Sequence, residues 1–193
     1  MILTDREIKI AIRQGFIEID PPPNETVAFS STAVDLTLDP DIAIFENSTP
    51  PGVRREIDPS EEGFNAEEAA LELATKYKVK PAGFLLNPRV FVLAWTKEHV
   101  RLHTPTRAAG RVEGRSSLAR CGLAIHMTAP TIHSGFEGRI RLEMMNHSPV
   151  PIRLKPGMRI CQLILEMTLG TPEKGYQGQF FGQTVRRNRK KAA

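Results

Sequence analysis

Cysteine is scarce in this sequence, and long apolar runs are absent. Cys121 and Cys161 are the only cysteines among 193 residues, too few for a disulfide framework, so we expect both to be reduced, buried thiols. No window approaches the about 18 apolar residues that a transmembrane helix needs. The first ten residues carry charges where a secretory signal peptide needs an apolar segment. These absences predict a cytoplasmic protein with no membrane association.

Signatures of several enzyme classes are also missing. Zinc nucleobase deaminases need His-x-Glu followed by Pro-Cys-x-x-Cys, and neither pattern occurs. Neither cysteine has a second Cys or His at ligand spacing, so we reject a zinc site or any other protein-held metal. The Gly-x4-Gly-Lys-Ser/Thr loop and the Gly-x-Ser-x-Gly elbow are absent as well. The sequence therefore excludes a P-loop nucleotide site and the zinc-deaminase and serine-hydrolase signatures.

The positive net charge of +4 comes from the end of the chain. Residues 186–193 hold five of the 26 Lys and Arg, and without them the chain carries 21 basic against 22 acidic residues. Such a tail could hold a nucleic acid electrostatically, or it could be a disordered, solubilising end. We favour the second reading and expect no nucleic-acid partner. Residues 1–185 are expected to form one domain.

Hydrophobic periodicity predicts a mainly β chain. An apolar stripe predicts a short helix from Thr4 to Gln14, with Thr4 and Glu7 as a capping box. Beyond Ser31, apolar and polar residues alternate as they do in strands. The short strands and Pro/Gly turns favour a β-barrel or a jelly-roll-like sandwich. Strands are expected near residues 17–19, 34–38, 42–45, 84–86, 90–96, 152–154 and 158–165.

Residues 46–80 interrupt this β pattern. The first part, 46–65, is rich in Pro, Gly, Ser and Glu, as exposed segments are. Asn65 with Glu68 predicts the start of a helix that runs through Lys76. We interpret 46–80 as a helical surface insertion.

The candidate chemistry lies between residues 110 and 146. Gly114-Arg115-Ser116-Ser117 is typical of a turn whose amides and hydroxyls converge on an anion. Arg115 and Arg120 could add charge-assisted hydrogen bonds to phosphate. The alternative is an ordinary polar loop with two surface arginines.

A single carboxylate stands in the apolar-polar alternation that follows. The alternation places Arg139, Arg141, Glu143 and Met145 on one face of a strand. In one interpretation, Glu143 forms a structural ion pair with one of these arginines. If the face lines a closed pocket, Glu143 is instead a plausible proton shuttle. Further on, the Gly-spaced segment 176–179 is either a lid that orders over a ligand or an unremarkable loop.

Several motifs together resemble one known family. They are Gly114 to Arg120 (GRSSLAR), His126 to Ala129 (HMTA), and Gly135-Phe136-x-Gly138-x-Ile140-x-Leu142-Glu143. Supporting matches lie at 31–36 (STAVDL), 84–88, 93–98, 156–163 and 176–179. This pattern resembles dCTP deaminase of the trimeric dUTPase superfamily. The resemblance implies a distorted β-barrel protomer, a homotrimer with sites between subunits, and zinc-free hydrolysis of the cytosine 4-amino group.

The resemblance also implies roles for individual residues. Glu143 would take a proton from the water that attacks C4 and return it to the leaving ammonia. Ser116 and the carbonyl of Ala129 would orient that water. Mg²⁺ would be bound through the nucleotide phosphates. The residues expected to bind substrate are the loop Arg115, Ser116, Ser117, Leu118, Ala119 and Arg120, then His133, Phe136 under the deoxyribose, Arg141 and Leu142 whose backbone would read the base, and Lys174, Tyr176 and Gln179 in the lid.

Three departures from the family pattern fall at the sugar and phosphate end. His133 replaces the usual Asp, Gly175 separates Lys174 from Tyr176, and a tyrosine expected a few residues before that lysine is missing. We therefore expect a hydrolase of a cyclic amidine C–N bond that converts dCTP to dUTP and ammonia. The alternatives are a deaminase of a modified or differently phosphorylated deoxycytidine nucleotide and a non-catalytic nucleotide-binding regulator. Pyrophosphate release, as in a dUTPase or a bifunctional enzyme, is not expected without the Asp.

Overall fold

The computed structural model describes residues 1–45, 56–178 and 180–183, apart from the side chain of Leu71. Its architecture is mainly β with few short helices, as the periodicity predicted. The helices are α1 (Asp5–Arg13), α2 (Ala66–Leu73) and α3 (Ser116–Ala119), with a 3₁₀ turn at Thr104–Thr106. The strands are β1 (Ile17–Asp20), β2 (Phe29–Ser30), β3 (Ala33–Thr37), β4 (Asp41–Phe45), β5 (Ala74–Lys78), β6 (Phe84–Leu86), β7 (Phe91–Leu102), β8 (Ala108–Gly114), β9 (Leu123–Ala124), β10 (Glu137–Asn146), β11 (Ile152–Leu154) and β12 (Arg159–Met167).

The described strands divide into three sheets. The largest has the order β5-β4-β7-β10-β9, with β1 also paired to β7. The second has the order β2-β3-β12-β8, and β6 pairs with β11 in a small third sheet. A buried carboxylate joins the two larger sheets, because Glu98 of β7 accepts hydrogen bonds from the Thr37 amide at 2.8 Å and from its hydroxyl at 2.6 Å.

Antiparallel pairing of β10 with β7 positions the candidate acid. Glu143 lies opposite Leu93, and Arg141 lies opposite Trp95. The register shifts between Arg139 and Arg141, so the ladder is interrupted there. Every second residue of β10, including Leu142, is buried in the core. The other face therefore carries the polar side chains, as the alternation predicted.

Two details of the predicted helices are wrong. In α1, the Thr4 hydroxyl bonds the Glu7 carboxylate instead of a backbone amide, so the capping box does not form as predicted. That bond holds the pKa of Glu7 below its usual value. The second predicted helix starts as expected, with the Asn65 side chain accepting from the amides of the second and third helical residues. It ends at Leu73, however, and not at Lys76.

The chain after Leu73 becomes strand β5 because β4 offers it a free edge to pair with. β5 pairs with β4 along its whole length, from Asp41 opposite Lys78 to Phe45 opposite Ala74. β-branched and aromatic residues such as Thr75 and Tyr77 fit a strand better than a helix. The end of the insertion is thus built into the main sheet. Residues 46–55 and the basic tail lie outside the described residues.

The two cysteines differ in exposure. Cys161 is buried on β12, and burial together with the charges of Glu98 and Asp35 raises the pKa of its thiol. Cys121 is exposed, so the prediction that both thiols are buried is wrong for it. No helix in the described parts of the chain is both long and apolar enough to cross a membrane.

Candidate active site

Glu143 combines partial burial with an unsatisfied oxygen. A quarter of its side chain is exposed, and His126 Nδ1 lies 3.5 Å from Glu143 Oε2. That oxygen is buried and has no hydrogen-bond partner among the described residues. A buried polar atom without a partner is rare in folded proteins and calls for an explanation, such as a role in binding or catalysis.

The arginines that flank Glu143 are paired with other carboxylates. Arg139 forms an ion pair with Asp39, which is buried. Arg141 Nη2 donates to both carboxylate oxygens of Glu67, at 3.1 and 3.2 Å. Burial lowers the pKa of the Arg141 guanidinium, and the charges of Glu67 and Glu143 oppose that shift. The reading of Glu143 as a member of a structural ion pair with these arginines is therefore not supported.

His126 is a neighbour of the acid to which the sequence motifs assigned no role. It opens the motif His126 to Ala129, in which only the carbonyl of Ala129 was expected to act. Leu123 and Ile125 are both buried, so Ala124 and His126 face the other way, and Ala124 pairs with Met145. The same alternation continued by two residues brings His126 beside Glu143. The alternation of buried and exposed residues from Leu123 to His126 was thus the sequence signal that could have predicted this contact.

The predicted phosphate loop forms a short helical turn. Strand β8 ends at Gly114, and the carbonyl of Arg115 accepts from the amides of Leu118 and Ala119, both at 2.9 Å. Ser116, Ser117, Ala119 and Arg120 are exposed, while Leu118 packs against the core. The turn therefore presents hydroxyls and a cation to solvent, as an anion site requires.

Arg115 is anchored to the second sheet. Its Nε lies 3.5 Å from Oδ2 of Asp35 on β3. The same carboxylate accepts from Arg159 at 3.1 Å and from Gln162 at 3.0 Å. Only 7% of Asp35 is exposed, so three donors satisfy a nearly buried charge. This anchoring fixes the start of the loop.

The residues expected at the sugar lie under the C-terminal segment, which comprises residues 175–178 and 180–183. The ring of the exposed His133 stacks on Tyr176 at 5.5 Å between centroids, with 24° between the planes. Phe136 is buried, and its ring lies 6.1 Å from that of Tyr176. The Tyr176 amide donates to the carbonyl of Ser134 at 3.0 Å. Tyr176 thus covers both predicted sugar-binding residues of its own chain.

Further backbone bonds hold this segment against the start of β10. Gly182 donates to the Glu137 carbonyl at 2.8 Å, and Arg139 donates to the Gln183 carbonyl at 3.0 Å. A cleft of about 390 Å³ runs between the segment, the end of β7 and the 3₁₀ turn. Lys174 is exposed, and Gln179 lies outside the described residues. The segment is well placed for a lid, which remains a prediction.

The predicted site residues fall into three groups within one chain. Glu143, with His126 and Arg141, lies on the large sheet. The loop from Arg115 to Arg120 is tied to the second sheet, and the sugar-side residues lie under the C-terminal segment. Ala129 is exposed between β9 and β10. Within the described ranges, no three His, Cys, Asp or Glu side chains are placed to hold a metal ion.

Comparison with known protein families agrees with the resemblance that the motifs indicate. A family model described as dCTP deaminase-like matches residues 2–168. The chain belongs to the dCTP deaminase-like family. The resemblance read from the sequence motifs is therefore confirmed.

Curated relatives of the family match over most of their length. The dCTP deaminase of Rhodospirillum rubrum is 38% identical over 177 residues, which cover 91% of this chain and 87% of the relative. A dUMP-forming dCTP deaminase of Thermobifida fusca is 40% identical over 185 residues, with 94% and 86% covered. Another dUMP-forming relative, from Methanobrevibacter smithii, is 37% identical over 171 residues, with 89% and 82% covered.

A solved structure shows the same fold at low sequence identity. The 2'-deoxycytidine 5'-triphosphate deaminase of Agrobacterium tumefaciens superposes with a TM-score of 0.65 and 18% identity. The match covers 86% of this dCTP deaminase-like chain and 48% of that protein, so the chain spans about half its length. This likeness supports the mainly β fold alone.

Proposed function

We propose that this chain hydrolyses dCTP to dUTP and ammonia, with Glu143 as the proton-transfer group. The carboxylate accepts a proton from a water molecule as the water oxygen bonds to C4 of cytosine. The C4–N4 bond then breaks, and Glu143 returns the proton to the leaving amine. Ser116 and the carbonyl of Ala129 orient the water.

The unpartnered Oε2 of Glu143 is the observation that carries this proposal. A general base needs a free lone pair within reach of the proton that it removes. Both arginines on its face are paired with other carboxylates, so they leave that oxygen unoccupied. The curated relatives are named as dCTP deaminases, which supports the same substrate here.

The exposed turn from Arg115 to Arg120 suits the triphosphate. It offers hydroxyls, a cation and the first amides of α3, and anions are favoured at such a place. The carboxylate of Asp35, which pairs with Arg115, is also occupied by Arg159 and Gln162. Mg²⁺ would therefore reach the site through the phosphate oxygens, where it neutralises their charge. Within the same proposal, the sites lie between the subunits of a homotrimer.

The test is Glu143→Gln, which keeps the shape of the side chain and removes its proton affinity. We expect ammonia release from dCTP to fall by about 10²–10⁴-fold, with dCTP still bound in a calorimetric titration. Glu166→Gln is a matched control, because Glu166 on β12 is a partly exposed acid paired with Arg111 on β8. Turnover near the wild-type rate in the Glu143 variant would contradict the mechanism.

A second candidate product is dUMP. Two of the relatives described above are named as dUMP-forming, which favours a combined deamination and pyrophosphate release. Chromatography of the products of dCTP separates the two outcomes, since dUMP appears with pyrophosphate and dUTP appears without it. We favour dUTP because His133 brings no fixed negative charge to the sugar side of the site.

The departures from the family pattern at the sugar and phosphate end of the site raise the question of which nucleotide is the substrate. His133 and the spacing of Lys174 from Tyr176 motivate a panel of dCTP, dCMP, CTP and 5-substituted dCTP. Ammonia release dominated by dCTP supports the main proposal. A different preferred nucleotide indicates a modified or differently phosphorylated substrate. Tight binding without turnover across the panel indicates a nucleotide-binding regulator.

A further inference from the structure

Two contacts hold the side chain of Arg141. Its Nη2 donates to both oxygens of Glu67, at 3.1 and 3.2 Å. Its guanidinium carbon lies 4.1 Å from the centroid of the Trp95 ring, which is a cation–π distance. Only 14% of the Arg141 side chain is exposed. The guanidinium is thus fixed between an acid and an aromatic face.

These contacts bring together parts of the chain that are far apart in sequence. Glu67 is the second residue of α2, and its amide donates to the capping side chain of Asn65 at 3.1 Å. Strand β5 follows α2 and joins it to the large sheet through β4. Trp95 lies on β7 directly opposite Arg141 on β10. The insertion therefore supplies the acidic partner over a face that carries the candidate base.

The same geometry keeps the Arg141 guanidinium paired with Glu67 and not with Glu143. Arg141 and Glu143 are two residues apart on one strand, so their side chains leave the sheet on the same face about 7 Å apart. The Glu143 charge is near enough to raise the pKa of Arg141 against the effect of burial. A released guanidinium could therefore donate to the unpartnered Oε2 of Glu143. That ion pair would occupy the lone pair that proton transfer needs.

We propose that Glu67 is a positioning residue which, together with Trp95, keeps Arg141 from pairing with Glu143. The carboxylate of Glu143 then stays free to accept a proton from water. This inference rests on the proposed deamination and gives the helix of the insertion a function in it.

Trp95 provides a readout that does not depend on activity. It is the only tryptophan of the chain, and its indole is 7% exposed. Glu67→Gln removes the charge that holds Arg141, so we expect the tryptophan emission to change toward that of Arg141→Gln. Glu62→Gln makes the same charge change at an exposed residue before α2, and its emission should match the wild type.

Kinetics test the consequence for Glu143. We expect Glu67→Gln to lower kcat by about 10-fold, the effect of a charge-assisted hydrogen bond, with a smaller change in KM. Glu67→Asp should recover part of the lost rate because the negative charge returns. The double variant Glu67→Gln/Arg141→Gln should turn over faster than Glu67→Gln alone, since it has no guanidinium to block the base.

Distinct results would overturn this inference or the function beneath it. A Glu67→Gln variant with wild-type emission and wild-type kcat rules out the positioning role, as does a double variant slower than the single one. If a thermal melt shows that Glu67→Gln is unfolded, Trp95→Leu is the substitute, because it removes the other contact that holds Arg141. An unchanged kcat in Trp95→Leu would also rule out the positioning role. If the folded wild type releases no ammonia from dCTP, the proposed function is wrong. The tryptophan emission of Glu67→Gln still tests whether Glu67 positions Arg141.

Discussion

At the scale of single residues, His133 sets this chain apart from the motif pattern of its family. Its ring stacks on Tyr176 at the sugar side of the candidate site. A neutral imidazole can donate or accept one hydrogen bond, but it supplies no fixed negative charge to align a water against phosphorus. We therefore expect His133 to affect whether the product is dUTP or dUMP more than it affects the deamination step.

We expect His133→Asp to increase the release of pyrophosphate from dUTP by about 10-fold or more, because a carboxylate can position and activate the attacking water. Chromatographic detection of dUMP measures it. The double variant with Glu143→Gln serves as a control, since it should keep this hydrolysis and lose deamination. Equal dUMP formation by the wild type and His133→Asp would show that the imidazole is not what limits the second reaction.

At the scale of elements, the C-terminal segment (residues 175–178 and 180–183) is bound to its own chain at several points. Backbone hydrogen bonds fix it at Ser134, Glu137 and Arg139. Gly135 permits the close approach, because a Cβ there would lie 2.7 Å from the Tyr176 amide nitrogen and its φ is +87°. The segment therefore covers the sugar-side residues through its backbone as well as through the Tyr176 ring.

Ending the chain after Lys174 tests this segment as a lid. We expect KM for dCTP to rise by about 10-fold, because residues that close over a substrate contribute to its binding. Steady-state ammonia release measures KM and kcat. A chain ended after Val185 is the matched control, since it lacks only the basic tail, residues 186–193, and should keep the wild-type KM. Equal KM values for the two truncated chains would argue against a lid.

The elements also show how far the sequence alone was informative. The alternation in β10 predicted the polar face of Arg139, Arg141 and Glu143, because burial of one sheet face imposes a period of two residues. The end of α2 was missed, because the pairing partners of β5 lie 29 to 37 residues earlier in the chain and the Ala, Glu and Leu residues before β5 favour a helix. The contact of Glu67 with Arg141 spans 74 residues, and no local pattern encodes it.

At the scale of the whole molecule, the three groups of predicted site residues lie on different elements of one chain. Arg115 is tied to Asp35 on the second sheet, whereas Glu143 lies beside His126 on the large one. Family resemblance predicts a homotrimer with sites between subunits, and shared sites would bring these groups together. A site shared in this way has a consequence that can be measured without a structure of the assembly.

Mixing two inactive variants should restore activity. In a trimer of Glu143→Gln and Arg115→Ala chains, a site that takes Glu143 from one variant and Arg115 from the other is intact. Random association of equal amounts makes about a quarter of the sites intact. Ammonia release should therefore recover to about a quarter of the wild-type rate after the mixture is denatured and refolded together. Each variant refolded alone is the control, and a mixture as inactive as the two controls would mean that each site is built from a single chain.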